Sequence, residues 1–331
     1  MTPASSVTAR RVCDRPVVEF GSVEGYGPIF NAGVLFHDGR FHLFARGVHD
    51  RYRRNRLPGA RFLDYISDVL VFVSDDGRSY AFQQVLAESS SDGIYSYEDP
   101  RVQRVQSAAG EQIVISYTNL PAPETKKFWR IGVHKLGYAD GCFFLNHTSG
   151  SVVGPEGEPN KDAVIFNLRD GRVALIHRIY PNMQLAVFDS LDELCEPPAG
   201  YWDEYMTDLD RHTIIRPSVT SLGVGAGAPP VPTADGLILL YHERDGNEHY
   251  TTKVALLDDE TGRVKSIVPE PIMRPELEWE RAGDVDNVVF IQGAVPRPDG
   301  TIYVTYGAAD RCVGAAYFST DELLTALRAA A

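Results

Sequence analysis

The stretch NAGVLFHDGRFHLFARG, residues 31–47, carries apolar runs on both sides of an Asp38-Gly39 turn and closes on Arg46. Short apolar runs flanking Asp-Gly are the signature of two strands joined by a tight hairpin. The pattern returns four times. EDPRVQRVQSAAGEQIVISYTN begins at Glu98, KDAVIFNLRDGRVALIHR at Lys161, GAPPVPTADGLILLYHE at Gly227, and NVVFIQGAVPRPDGTIYVTYGAAD at Asn287. With Asn31, Asp99, Lys161, Gly227 and Asn287 as equivalent starts, the spacings are 68, 62, 66 and 60 residues. Each hairpin is followed by an alternating outer segment with an acidic turn, such as DVLVFVSDDGRSYAFQQ with its turn at Asp76-Gly77. A unit of this length buries its faces only against copies of itself. Five units of four strands predict an all-β, five-bladed β-propeller whose inner strands surround one central pocket. Residues 1–15 read as a loose N-terminal arm, and 16–331 as the single propeller domain.

Composition narrows the partners. The chain has 331 residues, a formal net charge of −13, 44% hydrophobic and 23% charged residues, which is ordinary for a globular protein. That acidity argues against nucleic acid or an anionic membrane as partner. No apolar run reaches the ~20 residues of a membrane helix. MTPASSVTARRVCDRP lacks an apolar signal core, so a cytoplasmic location is expected. Cys13, Cys142, Cys195 and Cys312 are scattered without a CxxC pair and read as reduced thiols. His42, His242 and His249 lack the spacing of a metal site, and no GxSxG elbow is present.

Three segments interrupt the strand rhythm. The basic stretch from His49 to Tyr65 reads as a loop, either plainly solvated or standing over the pocket mouth. Leu191 to Asp210, rich in Pro, Trp, Tyr and acids, reads as an inter-blade loop with a short helical turn. STDELLTALRAAA is helical, capped by Ser319 or Thr320.

Chemistry concentrates where the inner strands begin and end. Tyr97-Glu98-Asp99-Pro100-Arg101 puts two carboxylates at a strand start, from which a propeller presents side chains to its axis. A carboxyl there can be desolvated and protonate a leaving oxygen, although the same pattern also caps turns. With Asn167 to Arg172 as the connecting turn, Lys161-Asp162 and His177-Arg178 fall at opposite ends of one hairpin and close to each other, and Arg46 ends the first hairpin in the same register. Together they offer a tetrahedral oxyanion two guanidiniums, an ammonium and an imidazole. Gly225 to Pro230 is small and stiff, which suits close backbone approach rather than phosphate cradling. Tyr241, His242, Tyr306 and Asp310 end inner strands, and Trp129, Trp202 and Trp279 are stacking or core candidates.

These motifs resemble glycoside hydrolase family 130, the β-mannoside phosphorylases. The likeness is carried by YEDPRV, KDAVIF…IHR, GAGAPPVPTADGLILLYHE, EWERAGDVDNVVFIQGAV and TYGAAD, from about Asn31 to Phe318. It implies a five-bladed propeller that cleaves a β-mannoside with inorganic phosphate, inverting to α-mannose 1-phosphate, with no cofactor. It also implies Asp99 as general acid and Arg46, Arg130, Lys161, His177 and Arg178 as phosphate ligands. Asn31, Glu98, Arg101, Tyr241, His242, Asn287 and Asp310 fall to the sugar-contact set. The family pattern is departed from in YSYEDPR, which lacks a Gly-Cys before it, at Ala32 and at Asp286.

Two other functions fit less of the chain. An inverting hydrolase of the same fold needs a second carboxylate to activate water, and Glu280 and Asp284 are the candidates. A non-catalytic sugar-binding propeller needs aromatic lining but no carboxylate facing cations. The expected partners are a small sugar and phosphate, and a homo-oligomer is left open.

Overall fold

The computed structural model describes residues 7–56, 60–90 and 94–331, and over these the chain forms a five-bladed β-propeller. The first blade runs Tyr26–His37, Arg40–His49, Ser67–Ser74 and Ala81–Ala87 from the axis outward. The second uses Ser96–Ser107, Gly110–Leu120, Arg130–Ala139 and Cys142–Leu145, and the third Lys161–Asn167, Val173–Arg178, Met183–Phe188 and Thr213–Ile215. Ser221–Ala226, Gly236–Asp245, Tyr250–Leu257 and Val264–Ile267 make the fourth, with Val231–Thr233 resuming its inner strand. The fifth is Val289–Pro296, Thr301–Ala308 and Cys312–Ser319, completed at its outer edge by Arg10–Arg11.

That last pairing corrects the loose arm where it is described; residues 1–6 of the expected arm lie outside the described residues. Arg10 and Arg11 pair with Tyr317 and Ala316, so the two ends of the chain close the ring. Arg11 is bidentate on Glu280, at 2.7 and 2.9 Å, and Glu280 is wholly buried. Tyr306 donates to the same carboxylate at 2.8 Å, and the backbone N–H groups of Glu276 and Leu277 complete it.

The apolar runs are strands buried on both faces. Five apolar clusters fill the ring, one between each pair of neighbouring blades. Leu239 packs toward the third blade and Leu240 toward the fifth, so successive residues serve opposite interfaces. Truncating a buried leucine of this kind costs ~2–5 kcal/mol.

Leu191 to Asp210 lies within the third blade rather than between blades. It forms the short helices Leu191–Cys195, Tyr201–Thr207 and Leu209–His212, the first and last N-capped by Ser190 and Asp208. The C-terminal helix, Thr320–Ala329, is capped by Ser319 and buries Leu323, Leu324 and Leu327. Among the described residues no helix is long and apolar enough to cross a membrane, and the four cysteines are unbridged.

Candidate active site

Asp99 enters the axis because its strand bulges. The register between the first two strands of the second blade shifts between Glu98 and Arg101, and Asp99 adopts φ 52°. Asn31 (φ 46°) and Asp162 (φ 56°) occupy the same bulge in the first and third blades. Asn and Asp tolerate this left-handed backbone better than other side chains with a Cβ. The equivalent start of the third blade is therefore Asp162, one residue beyond Lys161.

These bulges assemble the floor of a cavity of about 290 Å³. Asn31 donates to Asp99 Oδ1 at 2.8 Å, and Arg46 Nη1 lies 3.5 Å from the same oxygen. Arg46 also donates to Glu98 at 2.5 Å and to Ser67 Oγ at 3.1 Å, between the rings of Phe30 and Tyr65. Its acidity is weakened: burial opposes the charge, but Glu98 and Asp99 outweigh it and raise the pKa. Lys161 and Asp310 face the same space. Burial, aided by Asp99 and Glu98 and opposed by Arg46 and Lys161, pushes the Asp310 carboxyl up to about 7.

Behind the floor, Asp162 holds two arginines and a histidine. Arg178 Nη1 lies 3.1 Å from Oδ2, Arg101 Nη2 3.3 Å from Oδ1, and His242 Nε2 3.4 Å from Oδ2. Burial alone would raise this carboxyl, yet Arg178, His242 and Arg101 hold it well below the usual range. Burial brings His242 down to about 4, so its imidazole is neutral at pH 7. Arg101 donates further to the carbonyls of Gly227, Ala226 and Asp99. Gly225 lets the cluster close: a Cβ there would sit 2.2 Å from Asp162 Oδ2 and 2.5 Å from His242 Nε2. The small, stiff segment thus serves close backbone approach.

Several expected ligands lie elsewhere. His177 is fully buried between Asn160 and Tyr205, each at 3.0 Å, and burial lowers it to about 3. It occupies the face opposite Arg178, whose guanidinium turns to the axis. Tyr241 likewise packs in the core between the third and fourth blades, on the face opposite His242. Arg130 donates to the Gly154 carbonyl, and Asn287 contacts His249 at 3.3 Å; neither lines the cavity. Arg101 and Arg178 act through Asp162. Glu280 is consumed by the ring closure, and Asp284 sits beneath Tyr52 and Arg311. Trp202 packs in the core around the short helices and Trp279 stacks on Tyr306; Trp129 is on the exposed rim. Among the described residues no group of three or more His, Cys, Asp or Glu side chains is arranged to hold a metal ion.

The cavity also uses residues the sequence patterns did not single out. Arg61, Phe62, Tyr65, Arg244, Glu248, Tyr250, Val285, Val288 and Phe290 form its walls and mouth. Only the basic stretch from His49 to Tyr65 gave any signal, as a possible covering loop.

The glycoside hydrolase family 130 profile, described as beta-1,4-mannooligosaccharide phosphorylase, matches residues 5–329. The chain belongs to this family. A 1,2-beta-oligomannan phosphorylase of Thermoanaerobacter sp. is 29% identical over 96% of this chain and 99% of its own. A beta-1,2-mannobiose phosphorylase of the same organism is also 29% identical, over 89% and 91%. The crystal structure of the Listeria innocua beta-1,2-mannobiose phosphorylase superposes with a TM-score of 0.76. It covers 97% of this chain and 99% of its own at 19% identity, which supports the family fold.

Proposed function

We propose that the protein is an inverting β-mannoside phosphorylase, with Asp99 as acid and Lys161 at the centre of the phosphate site. One observation carries this: Lys161 faces the same cavity as Asp99, and among the described residues no carboxylate lies within ion-pairing distance of it. Neighbouring guanidiniums are already engaged: Arg46 by Glu98 and Asp99, Arg101 and Arg178 by Asp162, and Arg244 by Glu248. In a chain of net charge −13, an ammonium kept unpaired in a cavity suits an anion. Phosphate needs positioning and charge balance, not a base.

The sugar at the non-reducing end sits on the floor, among Asn31, Asp99 and Asp310. Asp99 gives its proton to the glycosidic oxygen, directly or through a sugar hydroxyl. A phosphate oxygen beside Lys161, with Arg178 behind, attacks the anomeric carbon from the opposite face. The bond to the leaving sugar breaks with its electron pair on the departing oxygen, and the product is α-mannose 1-phosphate. Arg46 orients the acid in this scheme. The mannoside phosphorylase names of the relatives support the sugar class, and their β-1,2 linkage is the first to test.

Hydrolysis is the second reading, and Asp310 favours it, because a carboxyl titrating near 7 in this cavity suits a general base. The two are separated by synthesis in reverse: α-mannose 1-phosphate with mannose, glucose and N-acetylglucosamine, following phosphate release. Release that depends on one acceptor is expected. Cleavage of β-mannosides without phosphate, and no acceptor-dependent release, would establish the hydrolase instead.

A further inference from the structure

We infer that the Arg61–Glu248 ion pair, which crosses the cavity mouth from the first blade to the fourth, restricts the enzyme to a leaving group of one sugar unit. The sugar identity rests on the phosphorylase reading; the length limit rests on the geometry of the mouth.

In a five-bladed ring the first blade neighbours only the second and the fifth. Arg61, between the second and third strands of the first blade, nevertheless lies 2.5 Å from Glu248, between the second and third strands of the fourth. The contact therefore spans the cavity mouth past the fifth blade rather than joining neighbouring blades. Both ends are built. Glu248 is held by Arg244 through its other oxygen at 2.5 Å. On the first-blade side, Arg53–Arg54 pairs with Phe62–Leu63, and Arg54 donates to the Asp284 carbonyl at 2.8 Å. Phe62 and Tyr65 stack at 4.6 Å and 17°, with Tyr52 edge-on to both.

Depth completes the inference. Tyr65 lies over Arg46 at 5.3 Å, and Arg46 lies 3.5 Å from Asp99, so Tyr65 and Arg46 stand in succession between the mouth loop and the acid. A cavity of about 290 Å³ is at the lower end for a small-molecule site. With one sugar at Asp99 and the leaving sugar against the Phe62–Tyr65 pair, a third unit would have to occupy the place of the bridge. Arg61 and Glu248 are 45% and 44% exposed, so the bridge opens readily. The discrimination it gives is modest, about two- to fivefold.

The test compares β-linked mannobiose with mannotriose as substrates of the wild type, Arg61→Ala, Glu248→Ala and Arg61→Lys. The readout is the ratio of the two kcat/KM values, so a change common to both substrates cancels. The wild type and Arg61→Lys are expected to favour the disaccharide about two- to fivefold, and both alanine variants to bring the ratio near one. In reverse, the alanine variants should extend products beyond the disaccharide. A wild-type ratio near one, or alanine variants that keep the wild-type ratio, would overturn the inference. Failure of the phosphorylase reading is recognised separately, by cleavage without phosphate, and the ratio is then read in hydrolysis. If nothing turns over, calorimetric affinities of the two sugars for the same four proteins give the ratio.

Discussion

Replacing Asp162 with asparagine should cost more stability than almost any other single change near the axis, while leaving the backbone alone. Asparagine has nearly the same shape and tolerates the φ of 56° found there, so the loss isolates the charge. The side chains of Asp162 and Arg101 are 1% exposed and that of Arg178 is 13% exposed. Removing one partner of a buried pair costs ~3–5 kcal/mol, because the opposite charge stays buried without compensation. Arg101 keeps three backbone carbonyl acceptors, which places the expected loss at the lower end, about 3 kcal/mol. For a chain of 331 residues that is a fall in Tm of roughly 4 °C.

The pH dependence follows from the direction of the Asp162 shift. Its folded-state carboxyl is held below the ordinary value, so its stabilisation is complete above the unfolded pKa of ~3.9. It is lost as pH falls through the lower folded value. Calorimetry of the wild type and Asp162→Asn should therefore show a constant Tm gap between pH 5 and 8 that narrows below about pH 4. A gap under about 2 °C at pH 7, or one that widens in acid, would refute the hub.

Three predictions concern the cavity itself. Asp99→Asn should lower kcat ~10²–10⁴-fold with the Tm retained; turnover close to wild type would remove Asp99 from the acid role. Lys161→Ala should raise the KM for phosphate ~10–100-fold, the effect of losing a charge-assisted hydrogen bond, and leave stability nearly unchanged. An unchanged phosphate KM would place the anion elsewhere. Asp310, raised to about 7, carries its proton below that pH and loses it above, so a donor role gives a rate that falls on the alkaline side. Asp310→Asn, a permanent amide donor, should flatten that limb and keep activity when both proteins are measured in one buffer series, since phosphate titrates in the same range. Loss of all activity in this variant favours Asp310 as the base of a hydrolase.

The fold was legible because each blade repeats one hairpin, marked by Asp-Gly turns and by apolar runs buried against neighbours on both faces. The site was legible only to within one residue. Lys161 and Asp162, His177 and Arg178, and Tyr241 and His242 are adjacent pairs in strands or at their ends, where successive side chains point to opposite faces. The sequence offers both members of each pair, and in two of them the blade turns one member to the axis and the other to an inter-blade core. Lys161 and Asp162, by contrast, both stay at the axis, one in the cavity and one behind it. His177 and Tyr241 went to the core. Arg61 and Glu248 were beyond reach for another reason: 187 residues separate them, and nothing local in either segment encodes a contact across the mouth.

Backbone geometry also separates the two carboxylates at the bulges. Asn31, Asp99, Asp162 and Asn287 all have φ between 46° and 59°, a conformation that favours short amide and carboxylate side chains over longer ones. At three of the five blades the register bulge thus brings an Asn or Asp to the axis, before any demand of chemistry is considered, whereas Asn287 turns to His249. Two of the three are acids, and their surroundings divide the work. Asp162 is covered by two guanidiniums, lies outside the cavity lining, and is held in its charged form. Asp99 receives one amide and shares one guanidinium with Glu98, and it lines the cavity. A proton donor must reach solvent or substrate in both of its states, and a carboxylate as enclosed and ion-paired as Asp162 does not. Of the two equivalent positions, Asp99 is the one open to the cavity, which supports the acid role proposed for it.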